Sequence, residues 1–284
     1  MPALRRVSFK YRSGPAALRS LSDGTAYFAK PSELNDSLEA QFEPAKSSQF
    51  SVTLAETLTE LAKSRQEPVG FVPDESFASE FDLHMAREDE HFKEACQKLG
   101  LFSSARRPDN QPMWAYYSND SKGFCFELEW PDELLATYQL IPTEIQYSVE
   151  PRVHNRADDL RLALLALGEE HPDWTVDAIE KHSFSELFNR NWMVRSMGRA
   201  VSTKHADWKH ESELRMISPA AGPLPILKAI LKRVYFVRTD FPEWKPTMML
   251  LHQLYPNVEL AQVQFSHKAP LVSVVPMMKK LIPT

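Results

Sequence analysis

The chain has 284 residues, 43% of them apolar and 25% charged, with a formal net charge of -5. That is an ordinary globular composition with ample material for a core, and it excludes a global basic field of the kind that holds nucleic acid by counterion release. The two cysteines, Cys96 and Cys125, lie apart in apolar settings, and no run of about 18 apolar residues occurs, so neither a disulfide framework nor a membrane span is expected. Met1-Pro2-Ala3-Leu4-Arg5-Arg6 has no apolar signal-peptide core, and the chain is expected to be cytoplasmic.

In chain order, Val7 to Arg12 alternates as a strand. Pro15 then opens a short helix that Asp23-Gly24 closes, and Thr25 to Ala29 is the next strand. Lys30 to Asp36 reads as a loop, because its Pro, Ser, Asn and Asp all favour turns. Helical, acidic patterns occupy about 53–64 and 75–99, the second ending at Gly100. Pro112 to Tyr117 suits a helical turn, Phe124 to Leu128 a buried strand, and Ile141 to Val149 another strand. A mostly helical block spans about 155–200. After a further strand at 211–216, the C-terminus alternates helix (about 224–232), strand (Val234 to Val237), helix (243–254) and two strands (Val258 to Phe265, Leu271 to Val275). The expected organisation is one α+β domain over 1–284 with helical insertions at about 53–99 and 155–200, since no Pro/Gly/Ser linker divides it. Only eight glycines are present and no GxGxxG or GxxxxGK[ST] motif occurs, which removes the two commonest nucleotide-binding fingerprints.

Four polar clusters stand where strands meet loops. They are Lys10-Tyr11-Arg12-Ser13; Tyr27 with Ser32, Asn35, Asp36 and Glu39; Trp114 with Tyr116 and Tyr117; and Glu211-Ser212-Glu213-Leu214-Arg215. Read at the two-residue period of a strand, Glu211, Glu213 and Arg215 share one face. Like charges raise one another's pKa and each needs a partner, so such a trio belongs either on a wet edge or in a site. Ordinary readings stand beside the functional ones: a solvated ion-paired face for the glutamates, a surface or core-edge place for Arg12, core aromatics for Trp114, Tyr116 and Tyr117, and a turn or helix cap for Asn35-Asp36. His205 and His210 fit no zinc spacing, and no metal is assigned.

Taken together, Lys10 to Ser13, Ala26 to Asp36, Phe102-Ser103, Met113 to Tyr117, Lys122-Gly123 and Trp208 to Arg215 resemble an uncharacterised bacterial family, a domain of unknown function, along almost the whole chain. The late strand departs from that pattern, with Val234-Tyr235-Phe236-Val237 where members often end on glycine. The order of a strand with arginine, a helix, a strand with an aromatic and a later Glu-x-Glu strand is also similar to the mono-ADP-ribosyltransferase layout. That second resemblance implies an ADP-ribosyltransferase-like mixed sheet core and NAD as the substrate. It assigns Glu213 as the catalytic carboxylate and Glu211 as the group that prepares the acceptor. Arg12, flanked by Tyr11 and Ser13, would orient NAD, with Tyr27, Asn35, Trp114 and Tyr117 as further contacts. It further implies an intracellular protein or nucleic-acid acceptor, a role as a toxin or phage-defence effector, and room for a neutralising partner. The alternatives are a Mg²⁺-dependent nuclease built on Asp36, Glu39, Glu211 and Glu213, and a non-enzymatic protein-interaction module.

Overall fold

The computed structural model describes residues 6–36, 43–44, 49–68, 70–149, 153–266 and 270–275. The chain opens with β1 (Val7–Ser13), α1 (Gly14–Asp23) and β2 (Ala26–Phe28), then a 3-10 turn at Pro31–Glu33. After the two-residue strand β3 (Glu43–Pro44) come helices α2 (Phe50–Arg65) and α3 (Glu75–Lys98). β4 (Gly100–Ala105), α4 (Gln111–Tyr117), β5 (Gly123–Glu129), α5 (Asp132–Thr137), β6 (Ile141–Glu144) and β7 (Gln146–Ser148) follow. β8 (Val153–His154) leads into α6 (Arg156–Glu170), α7 (Val176–Ser183) and α8 (Glu186–Ala200). The last part runs β9 (Thr203–His205), a 3-10 helix (Ala206–Glu211), β10 (Glu213–Ser218), β11 (Gly222–Leu224) and α9 (Leu227–Ile230). It closes with β12 (Leu231–Phe236), α10 (Trp244–Leu254), β13 (Glu259–Gln264) and β14 (Leu271–Val275).

This is an α+β arrangement with a mixed sheet, and it divides into two compact units. The first comprises residues 1–37, 98–149 and 204–284; the second comprises 38–97 and 150–203, which take in most of the stretches expected as helical insertions. In the first unit an eight-stranded sheet runs in the order β14-β13-β12-β5-β1-β4-β10-β6. All its pairs are antiparallel except β12 with β13. One face buries Phe102, Phe124, Phe126, Leu214 and Met216 under α1 and α10, which contribute Ala17, Leu21, Trp244, Met248 and Leu251. The other face packs Tyr11, Ala105, Cys125 and Tyr235 with Met113 and Trp114 of α4. In the second unit Phe50, Leu54, Leu58, Leu160, Leu164 and Trp192 from α2, α6 and α8 form a separate core. Arg156 in this unit is 2% exposed, pairs with Asp89 at 2.7 Å and lies over the rings of Phe50, Phe92 and Trp192.

Local sequence explains α1 well: Pro15 pre-sets the first turn, and Gly24 at φ 68° ends it with its N–H on the Ser20 carbonyl. Two expectations need correction, and one strand was not anticipated. Glu211 is not on a strand: it is the last residue of the Ala206–Glu211 3-10 helix, and Ser212 at φ 46° turns the chain before β10 begins at Glu213. The helix expected over 224–232 shrinks to Leu227–Ile230, because Leu231–Phe236 is drawn into the sheet between β5 and β13. Gly100–Ala105, which carries no alternation, forms the buried strand β4 next to β1.

β1 pairs with β5 over seven residues from Val7 to Ser13, but meets β4 at a single register pair, Phe9 opposite Ala105. Where that second ladder stops, the Lys10 ammonium reaches across and donates to the Ser103 carbonyl. This seam adjoins the charged residues described next.

Candidate functional site

Every residue of the site belongs to the first unit. Its centre is Lys204, 6% exposed, whose ammonium donates to Glu211 at 2.6 Å and to Glu213 at 3.2 Å. Glu213, at the first position of β10, receives Nε and Nη2 of Arg215 at 2.9 and 2.7 Å, the two-residue strand period placing both side chains on one face. Tyr117 at the end of α4 donates its hydroxyl to Glu211 and is itself bonded to the Asn35 side chain. The backbone N–H of Glu213 donates to the Tyr147 hydroxyl at 2.9 Å. Asn35, Tyr117, Glu211, Lys204, Glu213 and Arg215 thus form one continuous polar chain.

Glu211 and Glu213 are only 3% and 5% exposed. Burial pushes the Glu213 carboxyl up, but the Arg215 and Lys204 cations, with the Ser103 hydroxyl, more than offset it and hold the group at about 2. It is therefore ionised at every physiological pH. Lys10 shows the opposite balance: burial, and then the neighbouring Arg12, bring its ammonium down to about 7, although Glu213 and Glu211 oppose the shift. Arg12 is lowered to about 10 by burial. Among the described residues it makes no ion pair, and its Nε is buried without a hydrogen-bond partner.

Of the residues singled out from sequence, Glu211, Glu213, Tyr117 and Asn35 are brought together. Arg12 stands two residues from Lys10 on β1; by register it shares the face of Phe124, whereas Tyr11, opposite Cys125, lies on the face of Phe9, Ala105 and Glu213. Tyr11 is buried, its hydroxyl donating to the Arg107 carbonyl and accepting from the Asn110 N–H. Trp114 is fully buried, edge-on to Tyr11, with its indole N–H on the Pro108 carbonyl at 2.7 Å, which makes it a core residue. Ser13 occupies the N-cap position of α1 without a side-chain capping bond. Tyr27 is 45% exposed and bonds the Glu33 carboxylate, outside the polar chain. Glu39 lies outside the described residues, and among the described residues no group of three or more His, Cys, Asp or Glu could hold a metal ion.

Lys204 and Tyr147 were not foreseen. Nothing in Thr203-Lys204-His205 distinguishes this lysine from a solvated one; only the turn through the 3-10 helix carries Glu211 and Glu213 back over it. Residues 113–216 match the model of a family described as protein of unknown function (DUF2971). The matched stretch holds Tyr117, Tyr147, Lys204, Glu211, Glu213 and Arg215, and leaves out Lys10 and Arg12. No curated protein and no solved structure matches the chain. Among the described residues no helix is long and apolar enough to cross a membrane.

Proposed function

We propose that this chain is a mono-ADP-ribosyltransferase that uses NAD as substrate, built on an ADP-ribosyltransferase-like sheet. The observation that carries this reading is the Glu213 carboxylate, buried and held at about 2 by the Arg215 and Lys204 cations. Cleaving the bond between nicotinamide and ribose develops positive charge on the sugar, and a carboxylate that never protonates stabilises that charge without reorganising. Nicotinamide departs with the bonding electron pair. Glu211 takes the proton of the acceptor nucleophile that closes on the same carbon. Lys10, half-buried and brought down to about 7, feels both Glu213 and Glu211 and is the cation that a diphosphate would engage there, whereas half-buried Arg12 lies by register on the face of Phe124, away from Glu213.

A second reading is favoured by how fully Glu211 and Glu213 are satisfied: Lys204, Arg215 and Tyr117 already take their oxygens, as in an internal network that only fixes the fold of an interaction module. Incubation with NAD labelled in its adenylate part, together with cell extract, separates the two. The transferase reading expects label on a macromolecule, its loss in Glu213→Gln and a raised KM for NAD in Lys10→Met. Label transfer by Glu213→Gln at the wild-type rate would overturn it.

A further inference from the structure

Three rings absent from every hydrophobic cluster of the described residues gather beside the polar chain. Tyr116, next to Tyr117 on α4, is 72% exposed, and its ring lies 6.1 Å from His210 at 58°. His210, also exposed, is 6.1 Å from the half-buried Trp208 at 31°. At these tilts the rings do not stack on one another, so their faces are not spent on each other.

The group is fastened to the fold rather than carried on a loose loop. The Asn110 side-chain amide donates to the His210 carbonyl, His210 Nδ1 lies 2.9 Å from the Asp207 carbonyl, and Tyr117 holds Glu211 at the end of the same 3-10 helix. Trp208 covers the Lys204 ammonium at 4.9 Å from its ring centroid. Exposed Lys209 lies within this segment, and exposed Arg107 in the loop that precedes Asn110. Two exposed rings and one half-buried ring on a rigid support, with Lys209 in the same segment, match the chemistry of a flat aromatic heterocycle that carries phosphate, because every base has a face to stack and its phosphate seeks cations.

We infer that Tyr116, His210 and Trp208 form a stacking platform for an unpaired nucleobase. Since Trp208 lies on Lys204, and Lys204 holds Glu211 and Glu213, a base seated there stands beside both carboxylates. This last step rests on the transferase reading and makes the base-bearing molecule the acceptor; the binding itself does not depend on it.

The test uses the full chain with three probes: a fluorescein-labelled single-stranded deoxyadenylate oligonucleotide, a matched abasic strand, and AMP as competitor. Anisotropy should show the base-bearing strand bound about tenfold or more tighter than the abasic one, the fold-change that corresponds to stacking one base. Tyr116→Ala and Trp208→Ala should each lose about that factor with unchanged circular dichroism, whereas Tyr116→Phe, which keeps the ring, should bind as wild type. Displacement by AMP at matched base concentration identifies a free nucleotide as ligand; displacement only by the strand identifies a nucleic acid. Either supports the platform. Equal binding of the abasic strand, no binding of strand or AMP, or wild-type binding by both alanine variants would overturn it. Base binding by the wild-type chain without any label transfer would support the platform and speak against the transferase reading alone.

Discussion

Replacing Glu213 with glutamine removes one charge and keeps the shape of a side chain 5% exposed between Arg215 and Lys204. A carboxyl that falls from its ordinary 4.5 to about 2 on folding contributes about 3 kcal/mol of stability at neutral pH. That agrees with the roughly 3–5 kcal/mol lost when one partner of a buried ion pair is removed. The sign follows from the direction of the shift. With the folded pKa below the unfolded one, the contribution is complete well above 4.5 and is lost as pH falls toward 2. Urea denaturation of wild type and Glu213→Gln at pH 7 should therefore differ by about 3 kcal/mol, and at pH 3.5 by about 2 kcal/mol. A difference below about 1 kcal/mol at pH 7, or one that does not shrink as pH falls, would refute the view that this charge is held by its buried partners.

Lys204→Met should cost a similar 3–5 kcal/mol in the same urea titration, because it leaves Glu211 and Glu213 buried together without the ammonium they share. Lys10→Met should act in the opposite direction near neutrality. With the wild-type lysine at about 7 when folded and 10.5 when unfolded, wild-type stability rises with pH across that window; the variant should be flat there and the more stable of the two at pH 7. Gly123→Ala would place its Cβ 2.3 Å from the Arg12 carbonyl, forcing β1 from β5, and should lower stability by about 1–3 kcal/mol in a thermal melt, with Arg12 displaced.

Legibility in the sequence followed how local the deciding interaction was. α1 was readable because Pro15 and Gly24 act within one turn of themselves, and α3 because its apolar spacing repeats over Glu75–Lys98. β4 was not, since Gly-Leu-Phe-Ser-Ser-Ala has no alternation; it is buried on both faces and becomes a strand through its neighbours β1 and β10. The strand expected from Val234 is the body of β12, and only its first residues, Leu231 and Lys232, overrode a helical reading, through pairing of Leu231 with Leu128 of β5.

The site divides along the same line. By itself the sequence determined that Glu213 and Arg215 share a strand face and that Tyr117 and Asn35 are polar groups at element ends, since spacing and residue type suffice for both. Only the tertiary structure decided what they do there. The αL turn at Ser212 takes Glu211 off the strand yet returns its carboxylate to Lys204. The sheet buries Trp114 while leaving Tyr116 in water, and the register of β1 with β5 turns Arg12 to the face of Phe124, away from Glu213. A charge acquires its pKa, and a ring its exposure, from residues distant in sequence, and those distances are closed only by folding.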